Sequence, residues 1–304
     1  MTLDQGIHFD VPSAVYFADP APQPSLTQSI AKTLIDYSPL HAWHEHPRLG
    51  GRPDEPPEQY VSAQAIGNAA HKLMIGRGKE IEVVDLDSWR GKAADQRREI
   101  EASGRVAILQ KHFVRARNMV EVGRARLADT QAFELGSGEV VLIWREGDIW
   151  LRTMIDWLSP QRNVAWDYKT SGLSCAPHAI PALMLNGGWD VQAAMHERGL
   201  NALDPDGAGR RKFRFVSQEN TEPYAVTVAE LPEDVVAMGH RKLAHAIDIW
   251  ADCIRSGRWP SYPNDVVFPE YPGWAEQKWL NREIHDAARQ RHPTDRDARN
   301  LMAG

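Results

Sequence analysis

Between Glu139 and Thr170 the sequence carries three strand-like runs in immediate succession, and no other stretch limits the folding options of the chain as much. Residues 139–145, 149–158 and 163–170 show period-two patterning, with Glu146-Gly147 and Ser159-Pro160-Gln161 as the turns between them. Connections that short join antiparallel neighbours. Two further strands are expected at 211–217 and 223–229. Helices are expected from Ser25, with Ile30, Leu34 and Tyr37 at helical spacing and Pro39 interrupting, and over 59–76, where Gly76 can close the helix. Others are expected over 88–102, 105–127, about 178–199 with a break near Gly187-Gly188, and Pro232 to Ser256. Residues 1–24 hold Pro12, Pro20, Pro22 and Pro24 and read as extended, and 47–58 reads as a loop. The order of helices, three strands, helix, two strands and helix predicts one α/β domain around a mixed central sheet flanked by helices.

Composition narrows the function classes. The chain has 304 residues, 42% hydrophobic and 25% charged, enough to bury a substantial core and too apolar for disorder beyond the ends. A net charge of −6 argues against a simple coat on nucleic acid, yet it leaves room for a locally basic groove. Cys175 and Cys253 are the two cysteines, and no CxxC exists. That excludes a four-cysteine zinc or iron–sulfur centre within one chain. The N-terminus lacks a basic segment followed by an apolar run, and no stretch of about 18 apolar residues occurs. A cytoplasmic protein without membrane contact is the expectation.

The chemistry concentrates in MIDWLSPQRNVAWDYKT. Asp167 and Lys169 lie two apart on one expected strand and so share a face. A hairpin can bring Asp156 beside Asp167. Two close carboxylates repel unless a cation lies between them, and hard oxygen donors favour Mg²⁺ or Mn²⁺. A lysine beside such a cation can orient or deprotonate a water and stabilise charge on a phosphorane. His71, one turn after Gly67, offers an imidazole as a further ligand. Glu139 is either another carboxylate of the site or a solvated strand end. Gln192 is either a contact to a phosphate or nucleotide edge or a packing residue. His41, His44 and His46 invite a zinc site, but no cysteine or tight HxxxH spacing supports it.

Taken in order, Gly67-Asn68-Ala69-Ala70-His71, GEVVLIW from Gly138, MIDWL from Met154, WDYKT from Trp166 and the downstream Gln192 resemble the RecE-type (exodeoxyribonuclease VIII-like) branch of the PD-(D/E)XK nucleases. The stretches SLTQSIAKTLIDYSPLHAW, SWRGKAADQRREIEASGRVAIL, FRFVSQE and SGRWPSYP extend the resemblance over about residues 8–274. It implies a restriction-endonuclease-like core within one nuclease domain over 1–274. That domain would have a helical part over about 25–127 and a sheet core over about 134–256, followed by a polar tail over 275–304. It implies His71, Asp156, Asp167 and the Tyr168 carbonyl as ligands of Mg²⁺ or Mn²⁺, with no iron–sulfur cluster. Lys169 would be the catalytic lysine, Glu139 a further catalytic carboxylate, and Gln192 the glutamine of a QxxxY motif. The tyrosine position of that motif holds His196 here, and the acidic position of motif three holds Asp167 rather than glutamate.

The activity implied is metal-dependent exonucleolysis of linear duplex DNA, 5′→3′, in phage-type recombination or repair. A single-strand annealing protein and a ring-like homo-oligomer would be its partners. A structure-specific or single-strand endonuclease on the same core is one alternative, and a non-catalytic DNA-binding protein is another. Ser29, Lys32 and the arginines from 115 to 126 are candidate phosphate contacts or a solvated face.

Overall fold

A computed structural model describes residues 1–50 and 58–291. Most of the expected 47–58 loop and the end of the 275–304 tail lie outside the described residues. The chain divides into two units, Met1–Tyr262 and Pro263–Gly304.

The first unit runs β1 (Gly6–His8), α1 (Ser13–Phe17), β2 (Ser25–Leu26), α2 (Gln28–Asp36), α3 (Pro39–Glu45), α4 (Glu58–Ile75), β3 (Ile81–Val84), α5 (Lys92–Ala102), β4 (Val106–Leu109) and α6 (Gln110–Leu127). There follow β5 (Ser137–Glu146), β6 (Ile149–Leu158), β7 (Val164–Ser171), α7 (Ile180–Gly187), α8 (Trp189–Leu203), β8 (Lys212–Glu219), β9 (Val226–Glu230) and α9 (Glu233–Ser256). The second unit contributes α10 (Gly273–Arg291), where the sequence suggests only a polar tail.

The fold is a mixed central sheet flanked by helices. Its order is β1-β5-β6-β7-β8-β9, with β2 also on β6. The expected meander β5-β6-β7 is antiparallel, whereas β7 and β8 are parallel, joined through α7 and α8. Leu26, Leu142, Trp144, Leu151, Ile155 and Phe215 form one core with α2, α8 and α9. Trp166, Tyr168 and Val216 face the other way, onto α4 and α6. The sheet therefore buries both faces, as its near-continuous apolar strands require.

Two strands share one edge of β6. β2 pairs with Trp150 and Leu151, and β7 pairs only with Trp157 and Leu158. Residues 152–156 pair with neither, and this opening in the sheet positions the site. Several segments differ from the sequence expectation. Ser25 and Leu26 are strand, and α2 starts after Thr27, whose hydroxyl accepts from Ile30 N–H at 3.3 Å. Val106–Leu109 is a strand paired in parallel with Ile81–Val84, so the helix expected over 105–127 starts at Gln110. Within the expected extended lead-in, Gly6–His8 pairs with β5 and Ser13–Phe17 is helical. The break expected near Gly187-Gly188 is present, with Gly188 at φ 64° between α7 and α8.

Candidate active site

Helix α4 presents His71, β5 presents Glu139, β6 Asp156, β7 Asp167 and Lys169, and α8 Gln192. Small residues let α4 close onto the sheet: a Cβ on Gly67 would stand 3.0 Å from Thr170 Oγ1. One turn later, His71 Nε2 lies 3.3 Å from Asp156 Oδ2. The β6–β7 ladder ends at Trp157 opposite Trp166. One step further, Tyr168 N–H donates to Asp156 Oδ2 at 3.0 Å, so a side chain takes the place of a backbone acceptor.

The alternation of β6 breaks at the same point. Ile155 and Trp157 are two apart, yet they pack into opposite cores. Across the β5–β6 ladder the break falls level with Glu139, which lies between the paired residues Gly138 and Val140 and has φ 50°. A non-glycine residue in that region costs about 1–2 kcal/mol and needs surrounding structure to hold it. Ser13 Oγ donates to Glu139 Oε2 at 3.3 Å, which ties α1 to the site.

His71, Glu139, Asp156, Tyr168 and Lys169 line an open cleft of about 590 Å³. Asp167 and Gln192 lie behind them, at 3% and 6% exposure. Lys169 Nζ stands 2.7 Å from Asp167 Oδ1 and forms an ion pair with that buried oxygen. Gln192 Nε2 donates to Asp167 Oδ2. Every sequence-derived site residue is thus brought to one place, in two layers rather than one. Ser13, Phe17 and Lys79 also line the cleft and were not foreseen: the first two lie in a lead-in that reads as proline-punctuated coil, and Lys79 in the turn after α4.

Electrostatics follow from burial and crowding. Burial alone would lower the His71 imidazole, but Asp156 above all, then Glu139 and Asp167, raise it to about 8. Burial and then the Asp156 charge push the Asp167 carboxyl up, against Lys169 and Gln192. Burial also raises Glu139. Asp156 moves the other way: burial opposes ionisation, but His71 and Lys169 outweigh it and hold the carboxyl low. Burial would lower Lys169, yet Asp167 and Asp156 raise it.

Among the described residues, no three His, Cys, Asp or Glu side chains stand as a ready-made metal cluster. The donor chemistry nevertheless fits a hard divalent cation. Glu139 and Asp167 are both raised by burial and by the Asp156 charge, so three carboxyl groups crowd one site. A cation among them would relieve that repulsion.

The histidine-rich stretch disperses. His46 is buried against Asp19 and Ser25, half-buried His41 bonds to Ser38, and His44 packs edge-on to Trp43. Of the candidate phosphate contacts, Lys32 pairs with Asp36, Arg115 with Asn220, and Arg124 with the Leu73 carbonyl. Arg117 and Arg126 are exposed. Cys175 and Cys253 are both buried free thiols. Among the described residues, no helix is long and apolar enough to cross a membrane.

A family profile for a PDDEXK-like domain of unknown function (DUF3799) matches residues 49–267. A search of curated proteins finds no significant sequence match. Among solved structures, the fold is similar to that of a "Putative exonuclease" from Eubacterium rectale. The TM-score is 0.55 at 10% identity, over 87% of this chain and 97% of that one, which establishes likeness of fold alone. A second structure, SSO0001, has 14% identity and a TM-score of 0.28 over 68% of this chain and 97% of its own, too low to carry an argument.

Proposed function

Since the chain belongs to the PDDEXK-like domain family DUF3799, we propose that it is a divalent-metal-dependent nuclease that hydrolyses linear duplex DNA from an end. The observation that carries this reading is the convergence of Asp156, Asp167 and Lys169 where β7 leaves β6, with His71 3.3 Å from Asp156. The finer parts rest on the motif resemblance to RecE-type exonucleases. These are 5′→3′ polarity, a role in phage-type recombination, an annealing protein as partner, self-assembly around DNA, and a nuclease domain over 1–274.

Asp156, Asp167, His71 and the Tyr168 carbonyl would hold Mg²⁺ or Mn²⁺. When bound, the cation supplies Lewis-acid polarisation of the phosphate and a more acidic water. The protein's own groups do the rest. Lys169, raised above its ordinary pKa by Asp167 and Asp156, is an ammonium at neutral pH. It is a poor base in that state and a good electrostatic partner for charge developing on phosphorus. Gln192 and Lys169 hold Asp167 from two sides. Glu139 faces the same cleft, and Lys79 adds a cation to its wall. Hydrolysis joins a water oxygen to phosphorus and releases the alkoxide, which takes a proton as the bond breaks.

Mixing the protein with linear and closed circular DNA tests the reading. Loss of the linear form alone, with Mg²⁺ and not with chelator, supports end-dependent cleavage. Cutting of circles would make it an endonuclease. Binding of DNA by folded protein with Mg²⁺ or Mn²⁺, without any cleavage, would leave a non-catalytic binder.

A further inference from the structure

Behind Asp167 a chain of polar side chains runs on past Gln192 to His196, Thr153 and Gln28, to which the nuclease reading gives no role. Gln192 Nε2 donates to Asp167 Oδ2 and stands 3.4 Å from His196 Nε2. On the other side of the ring, His196 Nδ1 is 2.9 Å from Thr153 Oγ1. Thr153 Oγ1 donates in turn to Gln28 Oε1 at 3.2 Å. Thr153 is fully buried and His196 is 2% exposed. Residues 192 and 196 are four apart on α8, so the helix itself stacks them on one face.

Counting protons fixes the state of the ring. A carboxylate only accepts, so the Gln192 atom facing Asp167 is the amide nitrogen. That nitrogen has two protons and no acceptor capacity. One proton faces Asp167, and the other faces His196 Nε2, which must therefore accept. A neutral imidazole with an accepting Nε2 carries its proton on Nδ1, and that proton points to Thr153. Thr153 passes its own proton on to Gln28, so each donor in the chain finds an acceptor. The ring is neutral for an independent reason: burial lowers its pKa to about 3.

A glutamine side chain has three rotatable bonds, and holding its amide on Asp167 needs a second fixed partner. His196 is that partner, and β6 locks the ring through Thr153. We propose that His196, as the neutral Nδ1–H tautomer, is a positioning residue that fixes the Gln192 amide on Asp167. Its effect on turnover rests on the nuclease reading, whereas the tautomer does not. Loss of the ring frees the amide, and Asp167 loses one of the two contacts that oppose the rise of its carboxyl.

Two experiments test this. Nitrogen-15 NMR of the metal-free protein reads which ring nitrogen of His196 bears the proton. Nδ1–H is expected, and Nε2–H would overturn the proposal whether or not the protein cleaves DNA. Steady-state kinetics then compare His196→Leu, His196→Gln and Gln192→Ala with the double variant His196→Leu/Gln192→Ala. His196→Leu should lower kcat about 10-fold or more with KM for DNA unchanged, as expected for loss of a group that orients a residue at the reaction centre. His196→Gln, which keeps an acceptor toward Gln192, should recover most of that loss. In the Gln192→Ala background, His196→Leu should cost nothing further. Full activity of His196→Leu, or additive losses in the double variant, would contradict the assignment. Absence of cleavage by the wild-type protein would remove the nuclease reading instead, and the NMR result would still decide the hydrogen-bond chain.

Discussion

Asp156 is where the site's interactions converge: it faces His71, accepts from Tyr168 N–H and raises Asp167. Asp156→Asn removes the largest influence that raises His71. In metal-free protein the imidazole should fall from about 8 toward or below its ordinary value of about 6.5, since burial then dominates. Histidine NMR titration measures this, and an unchanged value would show that the pair does not form. The sign of the linkage follows. A folded pKa above the unfolded one means that the pair's stabilisation is fully present below about pH 6.5 and is lost as pH rises through about 8. Asp156→Asn should flatten that part of the stability curve. The neighbourhood of Asp156, Asp167 and Lys169 was legible as two strands joined by a short turn, whereas His71, Glu139 and Gln192 became candidates for the same site through the motif resemblance. Thr153 and Ser13 were not legible. Each is an unremarkable hydroxyl in its own segment and gains meaning only from a partner far along the chain, His196 or Glu139.

The elements that carry these residues are held by close approaches and one buried charge network. Helix α9 meets the start of α8 at Gly239, where a Cβ would stand 2.0 Å from the Asp190 carbonyl oxygen. Gly239→Ala must push α8 away from α9 and should cost about 1–3 kcal/mol, read by urea denaturation. Because α8 bears Gln192 and His196, activity should fall with it, and a variant as stable as wild type would show that the helices are free to part. At the other end of the sheet, Asp19 is buried with Arg152 at 2.9 Å, His46 at 3.3 Å and the Ser25 hydroxyl at 2.7 Å. Burial would raise the Asp19 carboxyl, but His46, Arg152 and Ser25 outweigh it and hold it low. Its stabilisation is therefore present above the unfolded pKa of about 4 and is lost as pH falls through the lower folded value. Asp19→Ala leaves Arg152 buried without this partner and should cost about 3–5 kcal/mol at neutral pH, with a shallower acid transition. The sequence indicated the meander, α4, the α7–α8 break and α9 from periodicity and glycine placement. It misread Ser25–Leu26 and Val106–Leu109 as helix. The first is two residues long, and the second runs into α6 without a breaker. Both strands pair in parallel with distant segments, so nothing local marks them.

The molecule as a whole joins a two-faced sheet to a site at the opening between β2 and β7 on β6. At that opening one strand pair, β6 and β7, supplies both Asp156 and Asp167. None of the residues proposed for catalysis belongs to the unit Pro263–Gly304. Membership of the PDDEXK-like family and the meander agree on the class of fold, while linear duplex DNA as substrate is a proposal that rests on the motif resemblance. The most direct trial uses end-labelled linear duplex DNA and closed circular DNA, each with Mg²⁺ and with chelator, for wild type, Asp167→Ala and Lys169→Ala. The expected result is Mg²⁺-dependent loss of the linear duplex alone by the wild-type protein, with both variants inactive and unfolding cooperatively. Full activity in either variant, or degradation that persists in chelator, would contradict the site assigned to Asp156, Asp167 and Lys169.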